Sequence, residues 1–250
     1  PLAILSNNDG CVIARSEEVK RLGVPMGAPA HEHKATFEKN AVVVMSSNYA
    51  LYGDMSARVM ETLRPNVSAM EVYSIDEAFL ALEDWQGAEF ARELRSRVRQ
   101  WTGIPVSIGI GPTKTLAKMA NRLAKKTPEL GGVLDLETVR DMDELLSRVP
   151  CEDIWGIGKR LAVRLAAGGI RTACDLKYGE AAWVRKTLGV VGERIRLELQ
   201  GVSCLALEEV PAPKKGIASA KSFGRPVESL RELEEALATY TARAAEKLRS

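Results

Sequence analysis

Ser74-Ile75-Asp76-Glu77-Ala78 is the stretch from which the chain is best read. Two neighbouring carboxylates interrupt an apolar stretch whose flanks, Val67 to Tyr73 and Phe79 to Leu82, read as paired strands. Consecutive side chains of a regular strand point to opposite faces, so Asp76 and Glu77 can serve one metal site only where a turn or bulge re-aims one of them. The short hairpin between the strands supplies that turn. A solvated acidic turn is the competing reading of the pair taken alone, because turns favour polar residues. The rest of the chain weighs against it.

Before the hairpin, Tyr49 to Leu63 sets Leu51, Met55, Val59, Met60 and Leu63 at helical spacing, and Pro65 closes the segment. Further back, the apolar runs Leu2 to Leu5 and Cys11 to Ala14 flank Ser-Asn-Asn-Asp-Gly, which reads as a hairpin turn because Asn and Asp-Gly tolerate positive φ. Glu17 to Leu22 reads as a short helix ended by Gly23, and a polar helix near Lys34 to Asn40 precedes a strand, Ala41 to Met45. After the hairpin come a helix, Phe90 to Trp101, with Leu94 and Val98 inward, and a strand, Pro105 to Ile110. A long helix, Thr113 to Lys126, and a strand, Val133 to Leu136, follow. Hairpins mixed with helix and strand predict an α+β fold, a sheet covered on one face by helices.

Beyond Val149-Pro150 the character changes to short helices between glycine turns, as far as about Gly201. A linker rich in Pro and Lys, Val210 to Gly216, leads to a predicted strand, Ile217 to Phe223, and a helix, Leu230 to Arg249. A strand and a helix alone do not bury a domain core, which predicts that the sequence stops mid-domain. The opening at Pro1, without an initiator Met or a leader, predicts an internal piece of something longer.

At 250 residues, 46% hydrophobic and 27% charged, the composition is that of a globular chain with room for two or more domains, and no stretch approaches a membrane span. Cys11, Cys151, Cys174 and Cys204 lie far apart with only His31 and His33 as nitrogen partners, which argues against zinc and favours a reducing cytoplasm. His31 and His33 read as surface residues. The net charge of +2 is uneven: 18 basic and 20 acidic residues up to Val149, then 17 and 13 from Pro150. That imbalance permits nucleic-acid binding in the second part.

Two constellations carry chemistry. Lys114, Lys118, Arg122 and Lys126 recur every four residues with Lys125 beside them, while Leu116, Met119, Ala120 and Leu123 can face a sheet. A solvated face is the ordinary meaning of such a run. Like charges at that spacing repel, however, and no acid stands between Thr113 and Lys126 to relieve them, so an anionic partner such as a triphosphate is expected. The second constellation is Trp155-Gly156-Ile157-Gly158-Lys159-Arg160, where glycines permit a tight turn and a helix start can receive phosphate. A bare structural turn competes with that reading. Gly168-Gly169-Ile170 and Thr172 complete a helix-hairpin-helix pattern, with a weaker second copy from Leu188 to Arg194. Such hairpins grip the sugar-phosphate backbone without reading bases.

These residues resemble the Y-family translesion DNA polymerases, and among them the UmuC branch, the catalytic subunit of bacterial DNA polymerase V. The matching segments are Ser6 to Arg15, Ser46 to Tyr49, Tyr73 to Phe79, Thr113 to Lys118 and Asp153 to Lys159, in the family's order. The resemblance implies fingers (1–47), palm (48–135), thumb (136–210), a linker (211–216) and a partial little finger (217–250). It implies that Asp76 and Glu77 are two of three carboxylates holding a pair of Mg2+ ions, and that Lys125 contacts the incoming triphosphate. Lys20 falls where other branches put a basic residue on the same phosphates, although Glu17 replaces their usual Tyr. Gly156, Ile157 and Gly158, followed by Lys159 and Arg160, match the hairpin that holds duplex DNA.

The family's third carboxylate and its aromatic sugar-selecting residue precede the position of Pro1, so residues 1–250 alone are expected to bind the metal pair poorly and not to polymerise. The implied partners are template-primer DNA and dNTP, with a UmuD-like subunit, RecA and a sliding clamp, in a cytoplasmic, nucleoid-associated bacterial setting without a membrane. Two other classes compete: a non-catalytic helix-hairpin-helix DNA-binding module, and a nucleotide cyclase, which would share paired carboxylates but has no need of a duplex-gripping thumb.

Overall fold

The computed structural model describes residues 1–210, 215–221 and 223–249. Two compact units emerge, residues 1–51 with the described part of 211–250, and residues 52–210. In the first, β1 (Leu2–Leu5) pairs antiparallel with β2 (Val12–Arg15), as the hairpin pattern predicts. Asp9 sits at φ 53° in the turn, a conformation that short polar side chains tolerate. Two short helices follow, α1 (Glu17–Arg21) and α2 (Lys34–Lys39), and β3 (Val43–Ser46) returns parallel to β1. Ala3, Val12, Val19 and Phe37 fill the core of this unit.

A helix, α3 (Tyr49–Leu63), buries Val59 and Met60. The predicted hairpin then forms from β4 (Met70–Val72) and β5 (Ala78–Leu80), with Glu71 opposite Phe79. The helix α4 (Ala88–Thr102) buries Ala91, Leu94 and Val98 and stops at Gly103, which takes φ 75°. Next, β6 (Ile108–Ile110) and β7 (Val133–Asp135) run parallel, joined through α5 (Lys114–Lys126). Leu116, Met119 and Ala120 of α5 are buried, as the pattern predicts; Leu123 is partly buried, and Ala124 joins the buried face instead.

Within this α+β arrangement the strands among the described residues make three separate ladders, β2-β1-β3, β4-β5 and β6-β7.

The glycine-punctuated region folds as α6 (Met142–Ser147), α7 (Lys159–Ala167), α8 (Ala173–Lys177) and α9 (Ala181–Leu199) around Leu146, Leu165, Leu176, Val184 and Leu199. Thr172 and Asp175 form a reciprocal cap at the start of α8, which explains why Thr follows the glycine turn. At the second, weaker glycine turn the backbone leaves the helical region at Gly189, φ 72° and ψ −167°. The fully buried Glu198 ties α9 to the start of α5: its carboxylate accepts from the Thr115 amide at 2.9 Å and the Cys204 amide at 2.8 Å.

In the first unit, α10 (Leu230–Arg249) forms as predicted. The strand expected from Ile217 to Phe223 does not form over its described residues, since a lone strand has no neighbour to share hydrogen bonds with. Residues 211–214 of the expected linker, and Ser222, lie outside the described residues. No helix among the described residues is long and apolar enough to cross a membrane. All four cysteines are free thiols, and burial, with a smaller contribution from Asp175, pushes the Cys151 thiol up to about 12.

Candidate functional site

The turn between β4 and β5 is closed by backbone. The amides of Tyr73 and Ser74 both donate to the Glu77 carbonyl at 3.0 Å. Inside that turn the Ser74 hydroxyl donates to Asp76 Oδ1 at 2.7 Å, and the Asp76 amide donates to Ser74 Oγ at 3.3 Å. Asp76 is thus held at an exposed tip. Glu77, half-buried one residue on, accepts from Lys118 Nζ at 2.6 Å. Both acids line a cavity of about 540 Å³ with Lys118, Asn121 and Gly109 to Pro112 at the end of β6. The hairpin therefore brings the two acids to one cavity, as the turn argument requires.

The reading of the cationic stripe is corrected. Four of its cations are neutralised by acids from elsewhere in the fold: Lys114 pairs with Glu71, Lys118 with Glu77, and Arg122 and Lys126 both with Asp153. Intrahelical repulsion therefore demands no external anion. The Lys114–Glu71 pair is about nine-tenths buried on both sides, and Glu71 also accepts from the Glu208 amide at 2.8 Å. Lys125 is different. It is exposed and, among the described residues, makes no ion pair. It stands two turns, or about 10 Å, along α5 from Lys118. Lys20 belongs to the other unit, where it pairs with Glu17 on α1.

Asp153 carries a pH dependence. Burial raises its pKa, but hydrogen bonds from Lys126 and Arg122 outweigh burial and hold its carboxyl below the ordinary value of 3.8. A depressed folded pKa means that the contribution to stability is fully present above about 4 and is lost as pH falls through the lowered value. Asp153→Asn is expected to lower the urea midpoint at pH 7 and to differ much less from wild type near pH 3, as parallel denaturation curves would show.

In the helix-hairpin-helix segment, Gly156 takes φ 87°, and a Cβ there would come within 3.0 Å of Ile195 Cδ1. Gly158 caps α7, and Lys159 and Arg160 on its first turn are exposed. Ile157 is different from its neighbours: its side chain is buried and its amide donates to the Ile154 carbonyl at 3.0 Å. It anchors the hairpin in the core while the cations face outward.

Sequence reasoning missed the partners of α5, Glu71 and Asp153, because ion pairs between distant segments leave no spacing signal. It also missed an aromatic cluster. Trp155 meets Tyr73 at 5.5 Å and Phe79 at 5.7 Å between ring centroids, and Tyr73 meets Phe79 at 5.6 Å. The signal was available: each ring stands beside a motif, Tyr73 and Phe79 flanking the carboxylate turn and Trp155 preceding Gly156.

Among the described residues no group of three or more His, Cys, Asp or Glu side chains is placed to hold a metal ion. Asp76 and Glu77 are nonetheless hard oxygen donors beside a cavity. That donor set suits Mg2+, which is commonly held by one or two carboxylates together with substrate phosphates and water.

A model of the impB/mucB/samB family matches residues 1–122, and a model of that family's C-terminal domain matches residues 214–250. The chain is 46% identical to protein UmuC of Salmonella typhimurium over its whole length and 60% of that protein's. The chain belongs to the impB/mucB/samB family. This impB/mucB/samB chain spans about 60% of the length of the curated relatives it matches. Its fold is that of the Y-family polymerases: a Y-family DNA polymerase chimera aligns with TM-score 0.80 at 24% identity, over 98% of this chain and 72% of that one. An insertion ternary complex of Dbh DNA polymerase aligns with TM-score 0.66 at 26% identity, over 79% of this chain and 59% of that one.

Proposed function

We propose that the protein to which this chain belongs is an error-prone translesion DNA polymerase of the DNA-damage (SOS) response, adding dNTPs to a primer 3′-hydroxyl across damaged template by two-metal nucleotidyl transfer. The observation that carries the reading is the Asp76–Glu77 turn, held by Ser74 and Lys118 at the mouth of a cavity in a chain of this family. In this reading residues 1–47 are fingers, 48–135 palm, 136–210 thumb, 211–216 linker and 217–250 part of a little finger. Asp76 and Glu77 would hold two Mg2+ ions, which when bound activate the hydroxyl and stabilise the leaving pyrophosphate. Lys118 holds the Glu77 carboxylate in place through their ion pair. Lys125 offers an uncommitted positive charge to a triphosphate, and Lys20 is proposed as a second. The resemblance adds a UmuD-like subunit, RecA and a sliding clamp as proposed partners.

Gly156, Ile157 and Gly158 are proposed to set the hairpin on the duplex, with Lys159 and Arg160 neutralising phosphates. Replacing both cations by Ala is expected to weaken duplex binding equally for all sequences and to flatten the slope of log K against log salt by about 1.8. Fluorescence anisotropy across a salt series measures this. The function itself is tested by primer extension with the full-length protein and Mg2+ on a template carrying an abasic site. Extension past the site is expected. Tight duplex binding with no extension would favour the non-catalytic DNA-binding module, the reading to which exposed Lys159 and Arg160 lend support.

A further inference from the structure

Lys118 has more neighbours than a surface ion pair needs. Its ammonium lies 2.6 Å from Glu77 Oε1, 5.5 Å from the Tyr73 ring centroid and 5.7 Å from that of Trp155, with the side chain four-fifths buried. The two rings are set edge to face, 87° apart, so they wall the ammonium from two directions. A cation against aromatic faces is attracted by the ring quadrupoles, and more strongly as water is excluded. Tyr73 opens the carboxylate turn. Trp155 belongs to another element, the approach to the glycine hairpin, one residue before Gly156.

We propose that Trp155 is a positioning residue that acts through Lys118, registering the Glu77 carboxylate to the hairpin proposed to grip DNA. The inference deepens the polymerase reading and rests on it. Three observations support it. First, among the described residues Glu77 accepts a side-chain hydrogen bond from Lys118 alone, so whatever fixes that ammonium helps fix the carboxylate. Second, Lys118 is fixed by two aromatic rings in place of a second acid, which leaves its charge available to Glu77 and to any anion beside it. Third, Trp155 also packs on Phe79, the residue two past Glu77, so a shift of the hairpin reaches the acidic turn through ring contacts as well as through the lysine. DNA bound at Gly156 to Arg160 would thereby set the orientation of a metal ligand without touching it.

The test is a double-mutant cycle of Trp155→Ala and Lys118→Met in the full-length protein. It is read on a dideoxy-terminated primer-template, where nucleotide binds with Mg2+ but no bond forms. Each single variant is expected to raise the nucleotide Kd about tenfold, and the double no more than the worse single, since residues in contact couple. Trp155→Phe is expected to recover most of the loss, because a ring face is kept. Duplex affinity should stay within about twofold of wild type throughout. Multiplicative effects in the double variant, or weakened duplex binding with unchanged nucleotide affinity, would overturn the proposal. The same cycle read by urea denaturation needs no nucleotide: coupling there with no primer extension by the wild type would mean that the polymerase reading, not the contact, had failed, and additivity would mean that the contact had.

Discussion

Asp76→Ala in the full-length protein is expected to lower primer extension at least about 10³-fold while leaving duplex affinity near wild type, since removing one preorganised charge at such a centre costs on that order. The expectation follows from the turn. Among the described residues Asp76 is held by Ser74, a contact two residues away, and no ion pair neutralises its exposed carboxylate. Its negative charge therefore remains available to a cation. Glu77 differs, because Lys118 already balances it. Asp76→Asn separates charge from geometry: the amide oxygen can still accept from the Ser74 hydroxyl, so the turn persists while the charge is gone. A loss in Asn as deep as in Ala points to the charge. Recovery in Asn would mean that Asp76 only shapes the turn.

The second large effect lies in packing. At Gly109, in β6, a Cβ would stand 2.0 Å from the Asn121 amide nitrogen, 2.4 Å from the Ala117 carbonyl oxygen and 2.7 Å from Ala120 C. All three are backbone atoms of α5. No rotamer change relieves contacts with a helix backbone, so the strand and helix must separate. Gly109→Val is expected to destabilise the protein by about 3 kcal/mol or more, enough to unfold a marginal domain. Circular dichroism on heating would show the fall, and the carboxylate cavity, which Gly109 and Asn121 both line, would lose its wall with it.

How much was legible depended on how local each cause is. Helical spacing marked α4 and most of the buried face of α5, and the Asp-Glu turn between apolar runs marked the hairpin of β4 and β5, whose strands are three residues each and shorter than those runs. Glycines marked the hairpin at Gly156 because a positive φ is a local demand that glycine meets. What spacing could not show was pairing across the fold. Glu71, Asp153 and Glu198 carry no mark in the sequence that they face α5, yet each meets it from a distant segment. The anion that the cationic stripe was expected to require is supplied, for four of its members, by acids of the chain itself. Lys125 alone, among the described members of that group, keeps the character the pattern assigned to it. The strand expected from Ile217 had the right composition, but pairing needs a neighbour, and composition does not supply one.

The most direct measurement is a crystal structure of the full-length protein with Mn2+, dideoxy-terminated primer-template and the next nucleotide, with the metal located by its anomalous signal. The account predicts a peak within about 2.2 Å of carboxylate oxygens from both Asp76 and Glu77, facing the nucleotide phosphates. A metal bound elsewhere, with these two acids uncoordinated, would contradict it.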